Sequence, residues 1–159
     1  LVGSEMCIRD SARLVQSRQQ LMTAIVQAIV GAMRRDPKRP DAEVGLKTPS
    51  IHSDLLWTLH SNNNIAEALR RFGVSRTTRT LILVRVAPPL DAGELVQHMT
   101  QLVDGTLQTR GLSLPSPALA WSELGTAYKI QDTPAFQHPD TSQVDALICS
   151  MVASKYVGA

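Results

Sequence analysis

Aromatic residues and cysteines are scarce in this sequence, and long apolar runs are absent. Aromatic residues make up 4% of the 159 residues. The two cysteines, Cys7 and Cys149, are too few for a disulfide framework and lack metal-ligand spacing, which predicts a reducing compartment. No apolar run approaches the roughly 18 residues of a membrane-spanning helix, so we predict no membrane span.

Recognisable catalytic motifs are also missing. The sequence contains no GxSxG elbow, no Walker-type glycine loop, no HExxH and no GxGxxG. None of the histidines is followed by a second metal ligand three or four residues later, so we interpret them as surface or loop residues. These histidines are His52, His60, His98 and His138. We therefore predict no metal and no cofactor, and the missing motifs argue against an enzyme without excluding one.

The length and the net charge of the chain restrict the number of domains and the class of partner less strictly than the missing motifs restrict the chemistry. A chain of 159 residues, 43% apolar and 19% charged, fits one globular domain. The formal net charge of +2 is too small to predict a nucleic-acid-binding protein by itself. Any contact with phosphate must therefore be argued from a local cluster of basic residues.

The first eleven residues, LVGSEMCIRDS, have neither a start methionine nor the order of a signal peptide. Read back into codons, they match a transposase-type sequencing adapter. We therefore expect residues 1–11 to be an adapter-derived artefact and residues 12–159 to form a single domain that is incomplete at its N-terminus. The alternative is a natural, disordered N-terminal segment.

Apolar periodicity and turn residues organise the rest of the chain. Apolar periodicity predicts helices over residues 17–35, 51–60, 64–73, 91–105 and from Asp140 onward. Aliphatic and β-branched runs predict strands over residues 13–15, 80–86 and 128–130. Loops or turns are expected over residues 36–49, 106–118, 121–125 and 132–139. We predict an α+β fold in which a mixed β-sheet packs against several amphipathic helices.

The stretch HSNNNIAEALRRFG, residues 60–73, predicts a capped helix. Asn64 is the predicted N-cap and Glu67 its reciprocal partner in a capping box. The predicted inward face carries Ile65, Ala68, Leu69 and Phe72, and Gly73 is expected to be a left-handed C-terminal residue. Turn and cap chemistry explains the three asparagines, and the alternative is that Asn62 or Asn63 reads RNA bases or a partner loop.

Basic residues near this helix allow two interpretations. Arg70 and Arg71 fit a solvated helix face, or they contribute to a surface that binds phosphate. The second interpretation draws on further basic residues, namely Lys38, Arg39, Lys47, Arg76 and Arg79.

The last predicted helix has a continuous apolar face. Val144, Leu147, Ile148 and Met151 share one face, which fits either core packing or a ridge that meets a partner. Cys149 lies beside that face, where a thiol behaves as a small apolar group.

HSDLLWTLHSNNNIAEALRRFGVS, the following TLILVRV, and the C-terminal AYKI and VDALICSMVASK resemble the PRPK-binding protein family. Members of this family are small regulators of the kinase in the KEOPS/EKC complex. The resemblance runs from about residue 12 to 159, and the asparagine stretch is its most specific part. The chain departs from the family pattern in three ways: the family's opening strand and helix elements are missing, the Pro-rich segment 36–45 is expanded, and Ser150 replaces a usual arginine.

The resemblance implies a non-catalytic subunit that binds and regulates the PRPK-type kinase and supports threonylcarbamoyl-adenosine (t6A) modification of tRNA, in the nucleus and cytoplasm. It also implies indirect association with the threonylcarbamoyltransferase subunit, contact with tRNA, and a telomere-associated role as in related complexes. The kinase-binding candidates are Val144, Leu147, Ile148 and Met151, and the RNA-binding candidates are Lys47, Arg70 and Arg71. The alternative hypothesis is a free-standing tRNA- or RNA-binding module.

Overall fold

The computed structural model describes residues 5–8, 14–34, 45–73, 81–86, 91–106, 117–138 and 140–157. These residues form mostly helices, with two short strands. The elements are β1 (Glu5–Ile8), α1 (Arg18–Met33), α2 (Ile51–Leu59), α3 (Ile65–Phe72), β2 (Ile82–Arg85), α4 (Ala92–Gln101), α5 (Pro117–Tyr128), α6 (Pro134–Gln137) and α7 (Thr141–Ala153). Among the described helices, none combines the length and apolar character that crossing a membrane requires.

Polar side chains cap α1, α2 and α7 close to the residues at which the sequence predicts these helices to begin. The Ser17 side chain accepts a hydrogen bond from the Gln20 amide at 3.0 Å and starts α1. Ser50 and Ser53 form a reciprocal capping box at the start of α2. Asp140 accepts from two amides at the start of α7. Because each cap satisfies amides that lack a partner within their helix, these starting points are fixed locally.

The core lies where α1 packs against α2 and α7, while α2 also packs against α3. A buried polar network crosses it. The Gln20 side-chain amide donates to the Leu14 carbonyl at 3.1 Å and to the Tyr128 hydroxyl at 2.7 Å. That hydroxyl donates to the Leu59 carbonyl at 2.8 Å. The network joins α1, α2 and α5, and it satisfies polar atoms that would otherwise be costly to bury.

The predicted mixed sheet is not confirmed. In the part of the chain that the structure describes, β1 and β2 form a two-stranded antiparallel pair, with Glu5 opposite Arg85 and Ile8 opposite Ile82. The predicted buried strand over residues 80–86 is shorter, since β2 spans Ile82–Arg85 and only its Val84 is buried. β1 lies within the segment that we interpret as adapter-derived, and the origin of that segment stays a prediction.

The region around α5 differs most from the sequence prediction. The turn expected over residues 121–125 and the strand expected over 128–130 are wrong, because α5 is one helix that ends at Tyr128. Its Trp121 stacks on Phe136, with centroids 4.9 Å apart and planes 13° from parallel. Gly125 leaves the space that the Phe136 ring occupies. Lys129 then adopts a left-handed conformation, φ 55°, which ends the helix.

Smaller predictions were also corrected. Leu14 and Val15 are buried but belong to no strand, so the strand predicted over residues 13–15 is wrong where it is described. Residues 132–139 contain the short helix α6. Asp91 caps α4 by accepting a hydrogen bond from the Gly93 amide, and the helix ends at Gln101, before the predicted end at residue 105. Residues 36–44 and 107–116 of the predicted loops lie outside the described residues.

Candidate functional site

The three asparagines shape the entry to α3. As predicted, the Asn64 side chain accepts from the Glu67 amide, at 3.2 Å. The predicted reciprocal bond, from the Asn64 amide to the Glu67 side chain, is wrong. The Asn64 amide donates instead to the Asn62 side-chain oxygen, at 2.9 Å. The Asn62 and Asn64 side chains therefore satisfy the backbone amides of Asn64 and Glu67, at the entry and in the first turn of α3, which supports the turn and cap interpretation. We name residues 61–64 the Asn loop.

Glu67 instead binds both arginines of α3. Its Oε1 lies 2.6 Å from Arg70 Nη2 and 2.7 Å from Arg71 Nε. Hydrogen bonds from Arg70 and Arg71 lower the pKa of Glu67 to about 2. The Arg70 side chain is 69% exposed and that of Arg71 28%. One carboxylate thus partly neutralises an arginine pair that lies at the surface.

The buried face of α3 is narrower than the sequence predicts. Ala68 and Phe72 are buried and Ile65 is half-buried, whereas Leu69 is 45% exposed, so its predicted inward position is wrong. Gly73 has φ −79° and not the predicted left-handed conformation. The short helix packs on α2 through a narrow apolar contact and presents Leu69 and Arg70 to solvent.

Lys47 lies in the segment before α2, whereas the arginine pair lies on α3. The Lys47 side chain is exposed. Its backbone amide donates to Asp54 Oδ1 at 2.8 Å. Burial raises the pKa of Asp54, and the hydrogen bond from Lys47 opposes that rise. Residues 38, 39, 76 and 79, which were also considered for a basic surface, lie outside the described residues.

A cavity of about 420 Å³ lies between the Asn loop and the end of α7. Its walls come from the end of α2, the Asn loop, the end of α5 and the turn after α7. The lining includes His60, Ser61, Asn62, Tyr128, Met151 and Lys155. No sequence pattern pointed to this cavity, because its walls are far apart along the chain.

Lys155 joins the two sides of the cavity. Its Nζ donates to the carbonyl oxygens of His60 and Asn62, each at 2.7 Å, and lies 4.8 Å from the centroid of the Trp57 ring. Burial lowers the pKa of Lys155 to about 8. Trp57 also donates from Nε1 to the Asn63 carbonyl at 3.3 Å and packs edge-on against Tyr156. The C-terminal turn and the Asn loop therefore form one hydrogen-bonded unit.

His60 is buried at the base of the Asn loop. Its Nδ1 accepts from the Asn62 amide at 3.2 Å, and among the described residues its Nε2 has no hydrogen-bond partner. Burial lowers the pKa of His60. The ring is therefore held neutral, with a structural role in the loop. Among the described residues, no group of three or more His, Cys, Asp or Glu side chains is arranged to hold a metal ion.

The four kinase-binding candidates on α7 differ in how deeply they are buried. Val144 and Ile148 are fully buried in the core, with 1% and 0% exposure. Leu147 and Met151 are only partly buried and pack at the edge of the core. Of these four candidates, only Leu147 and Met151 are accessible to a partner. Cys149 is buried beside them, and burial raises the pKa of its thiol.

Comparison with known proteins gives a consistent result. A family model described as "Kinase binding protein CGI-121" matches residues 5–156. An "EKC/KEOPS complex subunit CGI121" from Gibberella zeae is 35% identical over 101 residues, covering 59% of this chain and 47% of the relative. The subunit of the same name from Aspergillus terreus is 32% identical over 97 residues, covering 60% and 45%. One from Neurospora crassa is 24% identical over 164 residues, covering 89% and 75%. The chain thus spans less than half of the first two relatives.

Proposed function

Because the chain belongs to the CGI-121 family of kinase binding proteins, we propose that it is a non-catalytic regulatory subunit that binds the PRPK-type kinase of a KEOPS/EKC complex. The match over residues 5–156 carries this proposal, since it covers nearly the whole chain. The names of the fungal relatives, which are KEOPS/EKC subunits, support the same complex. Through the kinase, the chain associates indirectly with the threonylcarbamoyltransferase subunit.

Binding of the purified kinase to the full chain tests this proposal. We expect the two proteins to co-elute in size-exclusion chromatography. Substitution of both Leu147 and Met151 by Asp tests the accessible edge of α7, with Gln137→Asp on α6 as a surface control. A wild-type chain that does not co-elute with the kinase would contradict the proposal.

We further propose that the chain supports t6A modification of tRNA by contacting the tRNA backbone through Arg70 and Arg71, with Lys47 as an additional contact. The exposure of the arginine pair supports phosphate contacts, which position an RNA without reading its bases.

We also propose that the protein resides in the nucleus and the cytoplasm and that it has a telomere-associated role. Fluorescent tagging of the native protein tests its residence in the nucleus and the cytoplasm. Chromatin immunoprecipitation at telomeres tests the telomere-associated role.

A free-standing RNA-binding module is the second candidate, and the arginine pair is the observation in its favour. Under that hypothesis, the double substitution Arg70→Glu and Arg71→Glu abolishes tRNA affinity while kinase binding is unchanged, and tRNA binds without the kinase. If tRNA binds only in the presence of the kinase, the module hypothesis is wrong and the complex subunit is favoured.

A further inference from the structure

Lys155 places a positive charge at the cavity beside the Asn loop. Its ammonium group donates to the carbonyl oxygens of His60 and Asn62, which satisfy hydrogen bonds but carry no net charge. Among the described residues, no Asp or Glu forms an ion pair with Lys155, and the ion pairs of Glu67 go to the arginine pair of α3. Because Lys155 is buried, a charge without an opposite charge beside it is costly.

The rest of the described lining does not balance this charge. It contains no Asp or Glu side chain. Burial lowers the pKa of His60 and raises the pKa of Tyr128, so both side chains are neutral at pH 7. Lys155 therefore carries the only charge among the described residues that line the cavity. A single fixed cation complements a ligand with a single negative charge.

Two serine hydroxyls in the lining can accept hydrogen bonds from a ligand. Ser61 Oγ donates to the Ala127 carbonyl, and Ser154 Oγ donates to the Met151 carbonyl. Because each hydroxyl uses its hydrogen in this bond, its oxygen lone pairs are the part that a ligand N–H group can reach. Met151 and Val152 add an apolar part to the lining.

The size of the cavity suits a small organic ligand. Its volume of about 420 Å³ falls within the range of roughly 300 to 1,000 Å³ that is typical of ligand sites. Such sites combine apolar walls with a few polar groups that fix the orientation of the ligand. The cavity has this combination, with one cation, two hydroxyl acceptors and an apolar wall.

We propose that the cavity binds an α-carboxylate with an amide N–H beside it, so that the carboxylate contacts Lys155 and the N–H donates to Ser61 or Ser154. N-acylated amino acids and the C-terminus of a peptide both have this chemistry. The side chain of the ligand packs on Met151 and Val152. A phosphate group matches less well, because it has no N–H donor and carries up to two charges.

Titration of N-acetylleucine into the isotopically labelled full chain tests the inference by amide NMR. We expect saturable shifts at the backbone amides of Ser61, Asn62 and Lys155. N-acetylleucinamide is the matched probe, because it keeps the shape and the N–H but lacks the charge, and it should bind at least about tenfold more weakly. No saturable shift up to about 10 mM N-acetylleucine would overturn the inference.

The substitution Ser154→Asp tests the role of the charge, since removal of Lys155 itself would also break its bridge to the Asn loop. Ser154 is exposed and lines the cavity, so the new carboxylate competes with that of the ligand. We expect at least about a fivefold loss of affinity. Ser150→Asp, an equal charge change at an exposed position of α7 outside the described lining, should bind within about twofold of the wild type.

Circular dichroism melts of both variants confirm that the fold is retained. Unchanged affinity in Ser154→Asp, or an equal loss in Ser150→Asp, would contradict the contact with Lys155. Inorganic phosphate that binds as tightly as N-acetylleucine would overturn the assignment to a carboxylate. Shifts confined to the arginine pair of α3 would place the carboxylate there and overturn the assignment to the cavity.

An acetylated tetrapeptide that ends in leucine distinguishes the two sources of the carboxylate. Tighter binding than N-acetylleucine assigns the cavity to a peptide C-terminus, which extends out of the cavity and gains further contacts. Equal or weaker binding assigns it to a small N-acylated amino acid.

Discussion

Lys155 Nζ lies 2.7 Å from the carbonyl oxygen of His60, a residue 95 positions earlier in the chain. The same ammonium reaches the Asn62 carbonyl at an equal distance. The segment that enters α3 is therefore held by the turn that follows α7. This contact joins the end of α7, which carries Leu147 and Met151, to the Asn loop, which precedes the arginine pair of α3.

Substitution of Lys155 by Met should destabilise the protein. It leaves the carbonyl groups of His60 and Asn62 without their donor, and we expect the free energy of unfolding to fall by about 2 kcal/mol. Urea denaturation followed by circular dichroism measures the change. Lys129→Met is the matched control, because Lys129 is exposed, and it should have little effect. Equal stability of the two variants would contradict the bridging role of Lys155.

Glu67 should titrate far below an ordinary glutamate. Its hydrogen bonds to Arg70 and Arg71 lower its pKa from 4.5 to about 2. Since the pKa is depressed in the folded state, the ion pairs contribute stability above about pH 4.5 and lose it as the pH falls towards 2. Carbon-detected NMR of the side-chain carboxyl measures this titration. In a variant with both Arg70→Gln and Arg71→Gln, the pKa should return towards 4.5, and an unchanged pKa would exclude the arginines as the cause.

Glu67→Gln should strengthen tRNA binding if the arginine pair contacts phosphate. The substitution removes the carboxylate that both guanidinium groups now bind, and it adds one unit of positive charge to the surface. We expect affinity at low salt to rise about threefold, with a steeper dependence on salt. Filter binding at several salt concentrations measures both quantities. Glu94→Gln, an equal charge change on exposed α4, should have a smaller effect, and a loss of affinity in Glu67→Gln would contradict the phosphate contact.

Gly31→Ala should destabilise the contact between α1 and the C-terminal turn. A Cβ at position 31 would overlap the hydroxyl of Tyr156. Alanine favours a helix by about 1 kcal/mol over glycine, but displacing the buried ring costs about 1 to 3 kcal/mol, so the net effect is a loss of stability. Thermal unfolding measures the change.

A double-mutant cycle distinguishes this clash from a general effect at Gly31. In a Tyr156→Ala background, the added methyl group has room, and Gly31→Ala should then stabilise α1. A loss of stability of the same size in both backgrounds would show that Tyr156 is not the cause.

Helix starts were predictable because their signals are local. Ser50, Asn64 and Asp140 each cap a helix within three residues of the amide that they bind, and the predicted helix starts at residues 51, 64 and 140 lie within one residue of the observed ones. The reciprocal half of the Asn64 box was not predictable. Glu67 had three competing donors, and the guanidinium groups of Arg70 and Arg71 provide stronger, charge-assisted bonds than a backbone amide.

The missed features depend on contacts between distant parts of the chain. Gly125 lies within α5 and not in the predicted turn, and the Phe136 ring, eleven residues later, occupies the space beside it. Lys155 lines the cavity at the Asn loop, and its burial has no signal in the sequence. The packing of α7 against α1 buries Val144 and leaves Leu147 partly accessible. Apolar periodicity places both residues on one face and does not predict this difference.

The surroundings of Trp57 make it an optical reporter. The indole lies between the ammonium of Lys155 and the edge of the Tyr156 ring, and it is 3% exposed. The chain has two tryptophans, so a Trp121→Phe variant leaves Trp57 as the only indole. Its emission is then expected to shift to longer wavelength whenever the C-terminal turn separates from the Asn loop. The same fluorescence signal can follow, in real time, whether a bound protein or RNA loosens that junction.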